Sequence, residues 1–251
     1  MIFNLFCDAS IDLDNKVACA GCYITCQDDN NISSVIGLKR VIQPNATNNS
    51  AEILAIWIGV TEALKIRDYQ CPNAIFRLFS DSKISLYGVR DWIKNWIKNS
   101  PTDSELISPS SKEPVKNQQR FIDIFNIIVE NNLHIEFYHQ RGHVGAKVPL
   151  NIARVSFIKA NKVAPEALGL NIAYLSECND YVDNSTRKPI VDFLHNKPLD
   201  PDIYVEYDTP IVYDIRSVML PQYIRNINKT TVVSRHDFKG GYNQWILRKL
   251  K

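Results

Sequence analysis

Asp8 and Asp81 each close an apolar run (residues 2–7 and 74–80), and Glu52 stands near the head of a segment with helical patterning. Taken singly these acids say little. An Asp at a strand end is usually a cap or turn residue, and a Glu early in a helix simply favours the helix dipole. Together they say more, because strand carboxyl ends and the adjoining helix starts commonly form the site of an open α/β sheet. If the two strands are neighbours, Asp8 and Asp81 lie side by side and Glu52 can point at the same spot. Three such acids repel one another unless cations neutralise them. Carboxylate oxygens favour Mg²⁺ or Mn²⁺ over zinc. Two such ions about 4 Å apart can activate a water and stabilise the leaving oxygen of a phosphodiester.

A second metal reading starts from Cys19, Cys22 and Cys26, whose close spacing could share a tetrahedral ion. Their segment reads as a strand, however, which puts Cys22 and Cys26 on one face and Cys19 on the other. No fourth ligand lies nearby. Small buried thiols in a reducing compartment are the better reading.

The elements that must position the acids follow from periodicity. Residues 2–7, 17–26 and 34–43 read as strands joined by polar turns, which is the spacing of an antiparallel meander. After a polar loop, Ser50 is a plausible N-cap for a helix over 51–66, where Ile53, Leu54, Trp57, Val60 and Leu64 share a face. On that reading Glu52 lies in the first helical turn. A strand over 74–80, a helical stretch over 83–98, a Pro- and Ser-rich loop, a helix over 116–131 and a strand over 134–139 follow. The expected fold is α/β: a mixed five-stranded sheet, its first three strands antiparallel, with helices on its faces. Residues 152–161 suggest a further helix, while 165–175 have no strong period. Short strands are plausible at 204–207, 211–215 and 230–234.

The chain has 251 residues, 45% of them hydrophobic, and a formal net charge of +2. Contact with nucleic acid must therefore come from a local patch rather than the overall field. The N-terminal residues lack the basic start and long apolar run of a signal peptide, and no apolar stretch approaches the roughly 18 residues of a membrane span. A soluble intracellular protein with no membrane partner is expected.

Six local motifs, in one order, resemble those of the type 1 ribonucleases H. Thr47-Asn48-Asn49-Ser50-Ala51-Glu52 is similar to the T-N-N-x-x-E at the head of that family's first helix, and Ser80-Asp81-Ser82 to its strand-terminal [TS]-D-S. Trp92-Ile93-Lys94-Asn95-Trp96 resembles the Trp-containing helix leading into the basic protrusion of bacterial members, and Glu113-Pro114-Val115-Lys116-Asn117 the K-P-V-K-N opening the next helix. Arg141-Gly142-His143-Val144-Gly145 resembles the K-G-H-x-G loop, and Asn179-Asp180-Tyr181-Val182-Asp183 the N-E-x-x-D that supplies a last acid. The resemblance implies an RNase H-like fold and an endonuclease that cleaves the RNA strand of RNA–DNA hybrids, leaving 5′-phosphate and 3′-hydroxyl ends.

Residue by residue, it implies that Asp8, Glu52, Asp81 and Asp183 hold two Mg²⁺ or Mn²⁺ ions, with Asp8 bridging them. It implies that His143, on a mobile loop, assists proton transfer or product release. Asn48 and Asn49 would contact the RNA strand, where the 2′-hydroxyl distinguishes RNA from DNA. Thr47 and Asn117 would help hold a DNA phosphate, with turn and capping roles as the alternative account. Lys94, Lys98, Lys112, Lys116 and Arg120 could form a local basic surface for the hybrid backbone. Trp92 and Trp96 share a helix face, where packing on a neighbouring helix competes with stacking on substrate. The setting implied is removal of primers or stray hybrids by a monomer, in a bacterial cytoplasm or that of a phage-infected host.

Three departures from the family pattern stand out. A glycine-rich turn after the first acid is replaced by Ala9 and Asp12-Leu13-Asp14-Asn15. The span from His143 to Asp183 is longer than usual, implying an insertion over about residues 146–177 beside the active site of a domain over 1–190. A C-terminal extension, 191–251, follows. The helix carrying Asp183 should be interrupted at Pro189. Asp183 is favoured over Asp180 because it stands four residues after Asn179. Two other readings remain: a structure-selective DNA nuclease of the junction-resolvase kind, and an inactive hybrid-binding scaffold.

Overall fold

The computed structural model describes residues 1–28, 33–100, 105–145 and 147–206. β1 (Ile2–Asp12), β2 (Val17–Gln27) and β3 (Ser33–Gln43) form the expected antiparallel meander. The β1–β2 turn closes on Asp12, whose Oδ1 accepts the Asn15 N–H at 2.9 Å. β4 (Ile75–Ser80) and β5 (Ile135–His139) add in parallel on the other side of β1.

β1 does not stop before Asp8 as expected. β2 pairs it along its whole length, whereas β4 pairs it only from Ile2 to Phe6. Asp8 therefore lies within a strand, opposite Gly21, at the point where its other neighbour has ended.

The helices follow the apolar pattern with shifted ends. α1 (Asn48–Tyr69) begins earlier than expected: Thr47, not Ser50, is the N-cap. Ser50 is its reciprocal partner, so that each side chain accepts the other's backbone N–H, at 3.1 and 2.8 Å. Glu52 consequently sits in the second turn rather than the first. α2 (Lys83–Tyr87) and α3 (Ile93–Asn99) are one run broken by a π turn over Gly88–Trp92. Gly88 abuts Phe121 there, and a Cβ at Gly88 would fall 2.2 Å from the ring. α4 (Gln118–Glu130) covers α1, so Lys116 and Asn117 precede the helix rather than open it.

α5 (Leu150–Asn161), a 3-10 turn at Pro165–Leu168 and α6 (Ile172–Leu194) occupy the opposite face. α6 starts on an Asn171 cap and runs through Pro189 without interruption. Proline offers no N–H to the carbonyl four residues earlier, that of Ser185. Arg40 Nη1 donates to that oxygen instead, at 3.4 Å, so the carbonyl keeps a donor while Ile190 and Phe193 beyond it pack on the sheet. β6 (Ile203–Val205) then pairs in parallel with β3, so the sheet has six strands, not five, in the order β5-β4-β1-β2-β3-β6. The expected strands at 211–215 and 230–234 lie outside the described residues.

Two cores result from strand alternation. Phe3, Leu5 and Cys7 point towards α1 with Cys22, Phe76 and Leu78, while Phe6 and Phe79 point to the other face with Phe157, Leu175, Cys178 and Val182. The segment 146–177 thus supplies much of the second core through Phe157, Leu168, Leu170 and Leu175. A smaller cluster joins Val17, Cys19 and Ile42 to Ile190, Phe193, Leu199 and Ile203, which ties the segment from Ile190 to Val205 to the same sheet. Cys19 lies in that cluster and Cys22 in the α1-side core, with Cys26 against it; all are free thiols. Burial pushes the Cys19 thiol up to about 12, as suits an inert core residue rather than a zinc ligand. Among the described residues, no helix is long and apolar enough to cross a membrane.

Candidate active site

The β1–β4 register, in which Phe6 faces Phe79, carries Asp8 and Asp81 to the same end of the sheet as neighbours. Glu52 arrives from α1. One carboxylate oxygen from each of the three lies within 4.8 Å of the others, the only such grouping of potential metal ligands among the described residues. Asp8 is buried and the other two half-buried.

Burial, and then the charge of Asp81, holds the Asp8 carboxyl well above the ordinary carboxylate range. Burial, then Asp8 and Asp81, does the same to Glu52. Asp81 is raised by burial, with His143 opposing. Glu52 Oε2 is buried with no hydrogen-bond partner. A carboxylate with an orphaned oxygen, beside two more carboxylates, is a donor set suited to a hard divalent cation.

Asp183 stands at the margin of this cluster. Its charge raises the carboxyls of Asp8, Glu52 and Asp81. Its carboxylate is paired with Arg187 one turn along α6 and accepts the Ser10 hydroxyl at 3.2 Å. Gly21 lets the helix come this close: a Cβ there would fall 2.9 Å from Thr186 Cγ2 and 3.1 Å from Val182 Cγ1.

His143 is exposed, at a left-handed backbone position (φ 55°) next to Gly142. Gly142 lies against Asp81, and a Cβ on it would fall 2.0 Å from Oδ2. Behind Asp81, His139 Nε2 meets the Asp81 carbonyl at 3.2 Å. A carbonyl only accepts, so Nε2 carries the hydrogen. Burial, with Lys83, Arg90 and Arg141 nearby, lowers the His139 pKa to about 4, and the ring is neutral at neutral pH.

The residues expected to touch substrate have mixed fates. Asn48, Asn49, Asn117, Lys94, Lys98, Lys112 and Lys116 are exposed. The Thr47 hydroxyl is engaged in the α1 cap. Trp96 is buried edge-on against Phe121 of α4 at 5.1 Å, while Trp92, 6.0 Å from it, remains 38% exposed. Arg120 is not part of a basic surface. It is buried, ion-paired with Glu206 at 2.6 Å, and lies over the Trp57 ring.

Four contacts escaped sequence reasoning: Ser10 on Asp183, Gly142 on Asp81, and the buried amides of Asn179 and Gln140. Asn179 was visible only as the first letter of a motif, and Gln140 carried no signal, its partner being 39 positions away.

The RNase H family pattern matches residues 2–154, which includes Asp8, Glu52, Asp81 and His143 and stops short of Asp183. The Ribonuclease H of Ruthia magnifica subsp. Calyptogena magnifica is 34% identical over 108 residues, 42% of this chain and 63% of that protein. That of Rickettsia akari (strain Hartford) is 41% identical over 73 residues, 29% of this chain and 40% of that protein. The chain thus spans less than two thirds of the length of these relatives. The solution structure of the PFV RNase H domain is 18% identical, covering 73% of this chain and 95% of that one at a TM-score of 0.45; a likeness at that level adds nothing to the sequence match. With well over half its length matched, the chain belongs to the RNase H family.

Proposed function

We propose that this chain is a metal-dependent endoribonuclease that hydrolyses the RNA strand of RNA–DNA hybrids. The observation that carries the reading is the close set of Asp8, Glu52 and Asp81 oxygens, one neighbour of which, Glu52 Oε2, is buried and unpartnered. Asp183 completes the ligand set in this reading, supported by the effect of its charge on all three acids and by its place four residues after Asn179. Bound there, two Mg²⁺ or Mn²⁺ ions would supply an activated water and stabilise the leaving oxygen. The chain's own groups do the rest. The sheet end fixes Asp8 beside Asp81, α1 brings Glu52, and α6 swings Asp183 in over Gly21. His143, exposed beside Asp81, is placed to move a proton or help product leave. Exposed Asn48 and Asn49 face the RNA strand, and Lys94, Lys98 and Lys116 the hybrid backbone. Removal of primers or stray hybrids is the corresponding role.

The test offers the purified protein, with Mg²⁺ or Mn²⁺, an RNA–DNA hybrid, double-stranded RNA and a four-way DNA junction. RNA is cut in the hybrid alone, and Asp81→Asn abolishes it. Junction cutting, or hybrid cleavage indifferent to that substitution, would overturn the reading. Asp183→Asn loses far more activity than Asp180→Asn; the reverse order would move the fourth ligand to Asp180.

A further inference from the structure

Between the two aspartates stands an amide, and behind that amide stands another. Asn179, buried on α6, donates from Nδ2 to Asp8 Oδ2 at 3.3 Å, and the same side chain favours the charged form of Asp81. Its Oδ1 accepts from Gln140 Nε2 at 2.6 Å. Gln140 is itself buried, immediately beyond β5, and its backbone N–H is tied to the Ser80 carbonyl at 3.0 Å.

The two ends of a carboxamide are nearly the same size and opposite in function. Turned one way, Asn179 presents hydrogens to Asp8 and Asp81. Turned the other way, it presents a carbonyl oxygen to two carboxylates, which repels them. Its own shape does not choose. The carboxylates favour the first orientation, and Gln140 reinforces it by donating to Oδ1. Gln140 reaches neither carboxylate by any hydrogen bond of its own, so it acts through Asn179.

Gln140 is also a poor choice on grounds of stability. Its Oε1 is buried with no hydrogen-bond partner, a cost that an apolar side chain of similar length would avoid. A residue present only to fill space would be Met or Leu. Resting on the divalent-metal reading above, we infer that Gln140 is a positioning residue. It locks the Asn179 amide so that one NH₂ group holds the Asp8 and Asp81 carboxylates at their spacing before any ion arrives. Outer-shell partners of this kind typically change metal affinity by about ten- to a hundredfold.

The experiment uses the full chain and the metal alone as probe. Thermal unfolding is followed in chelator and through a MnCl₂ titration for wild type, Gln140→Met, Gln140→Asn, Asn179→Ala and the Gln140→Met/Asn179→Ala double variant. Gln140→Met keeps or raises the Tm in chelator, yet moves the midpoint of the Mn²⁺-induced rise upward by about tenfold. Gln140→Asn, with the same donor withdrawn by one methylene, gives the same displacement and stands in if the Met variant does not fold. Asn179→Ala also displaces the midpoint, and the double variant goes no further than Asn179→Ala, as expected when one residue works through the other. A wild-type midpoint in both Gln140 variants, or additive displacements in the double, overturns the inference alone. No Mn²⁺ response in wild type overturns the metal reading and this inference with it.

Discussion

Burial and mutual repulsion hold the carboxyls of Asp8 and Glu52 above their ordinary range, so without cations the folded chain keeps protons that the unfolded chain has released. The sign follows: an acid raised by folding stabilises the fold at low pH and loses that contribution as pH climbs from about 4 through the raised value. In chelator, the Tm should fall across that window and recover at neutral pH on adding Mg²⁺. Glu52→Gln removes one charge at nearly constant shape, flattens the fall, and raises the chelator Tm at pH 7 by about 3 °C while abolishing hybrid cleavage. Thermal melts against pH check the first part and a hybrid assay the second. Gly142→Ala makes a complementary case, because its methyl must displace Asp81 Oδ2 or the loop. Activity should drop at least about tenfold, with the midpoint of a Mg²⁺ titration raised and the chelator Tm little changed. Asp8, Glu52 and Asp81 were legible in the sequence because the apolar runs and short motifs around them are local features, although β1 runs on past Asp8 and Glu52 sits in the second turn of α1. Gly142, Ser10 and Gln140 were not, because what gives each its role lies on a different segment of the chain.

At the scale of elements, α6 shows where local rules give way. Pro189 and its polar neighbours read as an interruption of the helix, yet the helix runs to Leu194, with Arg40, from β3, donating to the bared Ser185 carbonyl and Ile190 and Phe193 packed on the sheet. Arg40→Met should therefore cost about 1 kcal/mol less in a Pro189→Ala background than in wild type, as measured by denaturant unfolding of the four proteins. The remaining cost in both backgrounds reflects the Arg40 pairs with Asp200 and Asp202. α1, by contrast, was misjudged only at its two ends: it runs to Tyr69 rather than Ile66, and at its start Thr47 and Ser50 are both good caps and each serves the other. The run over 146–177 gave weak periodicity because it is short pieces rather than one long amphipathic helix. Its Phe157 is nevertheless buried and stacked on Tyr138 at 6.1 Å. Phe157→Ala should destabilise the protein by about 3–4 kcal/mol, a loss that an appended, dispensable loop would not produce in a urea titration.

Across the whole molecule, charge is arranged by locality rather than by total. With a formal net charge of +2, attraction to a polyanion must rest on exposed side chains such as Lys94 and Lys98. Each Lys→Ala at these positions should raise KM for the hybrid, leave kcat nearly unchanged and reduce the slope of log affinity against log salt by about one. Arg120 looked from the sequence like one more member of that group, and it is not. Glu206, 86 positions away, neutralises it, and no pattern local to either residue announces such a pair. Glu206→Gln should cost about 2 kcal/mol through the half-stripped guanidinium, read from chemical unfolding.

The bond from Arg40 to the Ser185 carbonyl also bears on how such a chain can change by descent. A lineage that trades Pro189 for a residue with an N–H gains a helix bond and releases Arg40 from one of its duties; the reverse order, losing Arg40 first, leaves a bare carbonyl beside the strand. One path is open and the other uphill. Among relatives that share this helix, proline at this position should therefore be inherited together with a long donor on the facing strand, and should seldom be found without one.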